Sequence, residues 1–263
     1  MLKRCLACVL GLLSAPSAAL AGAWTQPEGT GQVIATATAS TSTSIFDSAG
    51  AVTSAQRYNK DELNALVEYG LTDQVTAIFQ PSLQHIDIAP PTSAERSGLG
   101  YTDIGGRYRL FENNGWVLSG QATLRVPGTT DRSNPAAIGY TDFQADFRAL
   151  LGHSFMIGTM PAFIDLELAQ RQRGDGAPNE FRADGTFGVQ VSQRWMLALQ
   201  SFNVISEGAV SPVFGSYDYF KLQLSAVYSL TATWSVQGGG FTAYAGRNAL
   251  QENGAVFGVA HKF

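Results

Sequence analysis

The feature that most constrains this chain is a period-two alternation that sets arginine and carboxylate against apolar residues within the same strands. In 140–151, Asp142, Gln144, Asp146 and Arg148 share one parity, and Phe143, Ala145, Phe147, Ala149 and Leu151 share the other. In 116–126, Ser119, Gln121, Thr123 and Arg125 oppose Trp116, Leu118, Ala122, Leu124 and Val126. In 180–191, Arg182, Asp184, Thr186 and Gln190 oppose Phe181, Ala183, Phe187, Val189 and Val191. Alternate residues of a strand point to opposite faces. A soluble barrel would turn its apolar face inward. Here the polar face reads as the interior, because an arginine facing lipid at the midplane costs ~2–4 kcal/mol. Several on the wrong face would approach the ~5–15 kcal/mol net stability of a whole domain.

The alternation recurs as a series of hairpins. Expected strands are 32–46, 56–71, 75–87, 99–112, 116–126, 140–151, 160–172, 180–191, 195–205, 217–229, 234–245 and 254–263. Their lengths suit the ~9–11 residues a tilted strand needs to cross the hydrocarbon layer. Short connections (72–74, 113–115, 152–159, 192–194, 230–233) alternate with long ones (47–55, 88–98, 127–139, 173–179, 206–216, 246–253). Outer-membrane barrels pair short periplasmic turns with longer outer loops. The expected fold is therefore all-β, a transmembrane antiparallel up-and-down barrel of about twelve strands. After the leader, no apolar run approaches the ~18 residues of a membrane helix. A closed barrel is then the way to satisfy backbone polar groups in lipid.

Trp116, Trp195 and Trp234 each directly follow a short turn, and Phe46, Tyr58, Tyr101, Tyr140, Phe181, Tyr217 and Tyr244 lie near the opposite strand ends. Two bands of amphipathic aromatics suit the two membrane–water interfaces. The last residues, Gly254 to Phe263, alternate and stop on an aromatic. This ending resembles the terminal strand of bacterial outer-membrane barrels, with His261 departing from the usual pattern. It implies closure against the first strand and recognition of Phe263 by the barrel-assembly machinery.

Residues 1–21 read as a secretory signal peptide. Lys3 and Arg4 precede the apolar stretch Cys5 to Leu13, and Ala19-Leu20-Ala21 offers an A-x-A cleavage site. Cleavage after Ala21-Gly22-Ala23 is the alternative. Residues 22–31 read as a short periplasmic segment and 32–263 as the barrel. Both cysteines, Cys5 and Cys8, lie in the leader, so a mature chain has no thiol for a disulfide or metal. Losing Lys3 and Arg4 takes the formal charge of −4 to about −6. That acidity gives no footing for nucleic acid.

Collecting charges by inward parity gives Arg107, Arg109, Arg125, Arg148, Arg171 and Arg182 against Asp103, Asp142, Asp146, Asp165, Glu167 and Asp184. Hairpin register would bring Arg148 near Asp165 and Asp103 near Arg125. The charges read in two compatible ways. They compensate one another and stitch neighbouring strands, or they line a water-filled path and select its solutes. Scattered His85, His153 and His261 form neither a metal cluster nor a serine–histidine dyad at sequence spacing. No enzyme, metal or cofactor is expected.

The segment Val67-Glu68-Tyr69-Gly70-Leu71-Thr72-Asp73-Gln74-Val75 carries an apolar-Tyr-Gly-Leu-Thr-Asp turn, echoed more weakly by Val227 to Trp234. With the leader and terminal Phe263, it resembles the outer-membrane barrels grouped as the "MetA-pathway of phenol degradation" family. The resemblance implies a transporter of small molecules, with aromatic compounds as the class its name suggests. It supplies no catalytic residues. The functional expectation is an outer-membrane channel of a Gram-negative bacterium, with lipid around it and small solutes as cargo. The alternative is a non-conducting barrel serving structure or surface recognition through its loops.

Overall fold

The computed structural model describes residues 22–129, 134–136, 142–174, 176–208 and 216–263. The expected leader, Tyr140 and parts of the expected loops 127–139 and 206–216 lie outside the described residues.

The chain forms β1 (Gly31–Phe46), β2 (Val52–Thr72), β3 (Val75–Gln80), β4 (Ser82–Ile88), β5 (Ala94–Leu99), β6 (Thr102–Asn113), β7 (Trp116–Val126) and β8 (Gln144–Ile157). It continues with β9 (Met160–Arg173), β10 (Glu180–Gln190), β11 (Trp195–Ser206), β12 (Asp218–Ser229), β13 (Trp234–Arg247), β14 (Ala249–Leu250) and β15 (Asn253–Lys262). Three breaks are local. Pro81 has no N–H to give the ladder, so it separates β3 from β4, yet its carbonyl still accepts from Ala65 N. Gly100-Tyr101 separates β5 from β6, and Gln251-Glu252 separates β14 from β15, again with cross-strand bonds kept through Gly100 N, Gln251 N and the Glu252 carbonyl. Joined across these breaks, the segments make a closed antiparallel barrel of 12 strands.

Closure runs between the ends of the chain. Strand β1 pairs with β2 on one side and with β15 on the other, from Gln32↔Lys262 to Thr41↔Asn253. Gly31 and Phe263 exchange backbone bonds at 2.8 and 3.0 Å, which leaves no free edge at the seam.

The short turns have local causes. Asn114 and Gly115 both take positive φ (50° and 81°), the requirement of a two-residue type I′ hairpin. Thr72, Ser192 and Thr231 each accept from the backbone N–H three residues on, at 3.0–3.1 Å. Such side-chain bonds compete with the ladder and end it. Two expected boundaries are corrected. Strand β8 continues to Ile157 and turns only at Gly158-Thr159, so His153 and Ser154 lie on the strand and not in a turn. The connection expected over 47–55 is a tight one: Asp47 Oδ1 accepts from Ala49 and Ala51 at 2.8 and 2.9 Å, and β2 resumes at Val52.

The faces fall as the alternation requires of a lipid-facing barrel. Leu124, Phe143, Phe147, Leu166, Leu168, Leu224 and Phe257 are exposed on the outside, whereas Asp146 and Asp165 are 2% and 1% exposed inside. In a soluble protein this pattern would strand a large apolar surface in water; in a membrane it is the belt that meets the lipid tails.

Candidate functional site

The site is the lumen, and its charged wall is built by β6 to β10. Register sets the contacts. Asp103 lies opposite Arg125, and the two form an ion pair at 2.7 Å. Arg107 reaches Glu68 at 2.8 Å and Gln121 at 3.0–3.1 Å. Arg148 lies opposite Ala169, not Asp165, because the later turn of β8 shifts the pairing. It contacts Glu167, with Asp146 and Asp184 each at 3.4 Å. Arg171 bonds Asp146 at 3.0 Å and lies 3.5 Å from Glu180, which Arg173 and Arg182 also approach, at 2.9 and 3.3 Å. Interleaved charges of this kind offset one another's desolvation. Two expected lining residues sit at the ends. Arg109 pairs with Glu112 at 2.5 Å on the short-turn rim. Asp142 precedes β8, and its carbonyl accepts from the Tyr101 hydroxyl at 2.9 Å.

The opposite wall is mostly uncharged. A cavity of about 420 Å³ lies between the two walls, bounded on this side by Gln32, Thr36, Gln200, Gln223 and Gln237. Gln223 donates to Gln200 at 2.9 Å, and Gln200 to Thr186 at 3.3 Å. Nearer the long-loop end, Lys221 pairs with Glu252, and Lys60 with Glu62 at 2.6 Å. Glu252, between β14 and β15, also accepts from the Ser40 hydroxyl at 2.5 Å.

The segment before β1, expected to lie in the periplasm, enters the lumen from the short-turn end. Thr25 and Glu28 bond the Asp73 turn. Gln26 takes Thr76 Oγ1 at 2.8 Å through its backbone and Glu68 at 3.0 Å through its side chain. The Trp24 carbonyl accepts from Arg107 at 2.8 Å. The Trp24 ring meets Phe163 edge-on, 6.0 Å between centroids, in an apolar pocket completed by Met196, Val227, Val117 and Leu150. Any side chain at Gly152 would strike that ring. Ala23 is fully buried; its N–H donates to Asp165 at 2.7 Å and its carbonyl accepts from Ser119 at 2.6 Å. This plug was not legible as periodicity, since nine residues with one tryptophan carry no repeat. Glu68, Arg173 and Glu180 were also missed. Inward parity identifies Glu68, while the other two flank what reads as a loop.

The outer rim at the short-turn end is aromatic. Trp116 stacks on His153 at 4.0 Å, Trp195 meets Tyr228 at 4.8 Å, and Trp234 meets His261 at 4.3 Å. Each is a cross-strand register pair. His261 also stacks on Phe263 at 6.2 Å, so its ring serves as one more member of the aromatic rim. His85 finds a serine that sequence spacing did not offer: Ser97 Oγ lies 2.8 Å from its Nδ1, with Glu95 3.9 Å from Nε2. The pair is a direct cross-strand neighbour on the outer face.

No family model and no curated protein matches the chain. Among solved structures, it is similar over 92% of its length to 98% of the COG4313 outer membrane channel from Pseudomonas putida F1, at 16% identity and TM-score 0.74. It is similar over 90% of each chain to the translocator domain of the autotransporter NalP from Neisseria meningitidis, at 12% identity and TM-score 0.57. The NanC porin is covered over its full length by 88% of this chain, at 10% identity and TM-score 0.54. At these identities the shared property is the outer-membrane barrel fold.

Proposed function

We propose that this chain is an outer-membrane channel for passive passage of small solutes, with its periplasmic mouth occupied by its own residues 22–30. The observation that carries the reading is the polar cavity of about 420 Å³ between a charged and an amide-lined wall inside a lipid-facing barrel. Water fills such a space at little cost, because the wall already offers donors and acceptors. The candidate path runs past Arg107, Asp146, Arg148, Glu167 and Arg171, whose fixed charges would bias which solutes enter. Aromatic compounds are the cargo class to which the Tyr69-Gly70-Leu71-Thr72-Asp73 resemblance points. The closing strand β15, ending at Phe263, is the segment we assign to the assembly machinery.

The second reading is a barrel that does not conduct and acts through its loops. The extensive pairing of the lumen charges and the seated plug favour it. One experiment separates the two. Refolded protein in a planar bilayer should give discrete conductance steps. A barrel that migrates as folded on a gel and stays silent, with and without residues 22–30, sinks the channel reading and leaves the second. A hydrolase centred on His85 and Ser97 has less support, since the pair lies on the outer face of neighbouring strands and not in the lumen.

A further inference from the structure

The ion pairing of the lumen leaves one carboxylate over. Glu68, Asp103, Asp146, Glu167, Glu180 and Asp184 each have an arginine within ion-pair distance. Among the described residues Asp165 has none, although it is 1% exposed. Its Oδ2 accepts from Ala23 N–H, and its Oδ1 is buried without a partner. Gly22 directly precedes that donor in the chain. Glu167 closes the other side: a Cβ on Gly22 would collide with Glu167 Oε1, while Oε2 is engaged by Arg148. Arg107 attracts Asp165 from beyond ion-pair distance while engaged with Glu68 and Gln121, and a buried ionised carboxylate without a counter-charge in contact is expensive. The space around the Gly22 nitrogen therefore asks for a cation with several N–H donors and no side chain.

We propose that this cation is the chain's own α-ammonium, created on Gly22 when the leader is hydrolysed between Ala21 and Gly22. Water adds across that amide: the released peptide keeps a carboxylate on Ala21, and the Gly22 nitrogen leaves with the electrons of the C–N bond and is protonated to –NH3+. One amide donor becomes three, with a full charge, between Asp165 and Glu167. Cleavage after Ala23 would discard this arrangement. Asp165 would lose its Ala23 donor, Ser119 its acceptor, and the pocket beside Val117 and Leu150 its alanine. Processing thus completes the plug's anchor. The inference rests on the secretory reading of residues 1–21 and is independent of whether the barrel conducts.

The intact mass of the protein purified from outer membranes should correspond to a chain starting at Gly22; a start at Trp24, or a retained leader, overturns the proposal. In the folded barrel, acylation of the α-amine by a small activated ester at neutral pH should be about tenfold slower than in the unfolded chain, the factor one charge-assisted hydrogen bond supplies. Asp165→Asn with Glu167→Gln should remove most of that protection, with the lysine acylation rates as the internal control. Equal protection in a folded double variant overturns the proposal. Should that variant not fold, the unaltered sequence refolded with an acetylated Gly22 takes its place. Its residues 22–30 should be clipped by protease faster than those of the free-amine chain, and equal rates overturn the assignment of the ammonium.

Discussion

The two walls of the lumen are built from the same alternation and behave differently. On β6 to β10 the inward arginines and carboxylates form a network in which one group can meet several partners, as Arg148 meets Glu167, Asp146 and Asp184. On β11 to β13 and β1 glutamines, serines and threonines predominate, joined by neutral bonds such as Gln223 to Gln200, with Lys221 the charged exception. The plug's backbone bonds lie on the charged side, through Arg107, Ser119 and Asp165, its Trp24 ring also packs against Met196 and Val227, and the remaining cavity lies between the two walls. Charged groups gain more from a fixed backbone partner than neutral ones do. The difference teaches that one wall holds the N-terminal backbone by hydrogen bonds, and the other meets it through the Trp24 ring.

The largest way to test this division is to remove the plug. Deleting Gly22 to Thr30 opens the lumen on the charged side and leaves both walls in place. Single-channel conductance should rise several-fold over the full mature chain, with the barrel still resisting detergent on a cold gel. An unchanged conductance would mean that the current runs wholly along the amide wall, and the plug blocks nothing.

Next in size is the loss of one guanidinium. Arg148→Met strips Glu167 and Asp184 of their arginine and weakens Asp146, at a cost of ~3–5 kcal/mol for uncompensated buried charge. Gln200→Met removes only neutral bonds and should cost ~0.5–1.5 kcal/mol. Urea unfolding in lipid vesicles, followed by tryptophan fluorescence, compares the two. Similar losses would erase the distinction between the walls.

On the outer face, Leu124→Arg places a charge in lipid at ~2–4 kcal/mol, while Thr123→Arg, one residue away and facing the lumen, should fall well below that. This pair asks whether the walls differ from each other less than both differ from the belt.

Most of this architecture was legible because two rules act at every residue of a membrane strand. Parity assigned Phe147 outward and Asp146 inward without any knowledge of their partners, and the Asn114-Gly115 and Ser192 turns gave the hairpin ends. Register was legible only where the turn was. Asp103 and Arg125 met as expected across a two-residue turn, whereas Arg148 missed Asp165 because Gly152 and His153, which look like loop, continue β8. His153 and His261 act as aromatic rim residues through cross-strand partners that the linear order does not reveal. The plug was illegible for a different reason. Its position comes from single contacts to separate segments of the chain, and no local pattern encodes those.

The smallest predicted effect is also the most specific. Ser119 is fully buried, and its hydroxyl donates to the Ala23 carbonyl at 2.6 Å on the charged wall. Ser225 is its counterpart on the amide wall, buried too, but its oxygen accepts from Gln223. Both serines lose one neutral hydrogen bond on substitution by alanine, so their barrels should unfold within ~1 kcal/mol of the parent. Their channels should not behave alike. Ser119→Ala takes about 1 kcal/mol from the seated plug alone, which raises its unseated fraction about fivefold. Bilayer recordings should therefore show more frequent openings to the level of the plug-deleted barrel. Ser225→Ala leaves the plug untouched and should leave the opening frequency where it was. Equal gating by the two variants would mean that the segment is not held through the charged wall, whatever its position at rest.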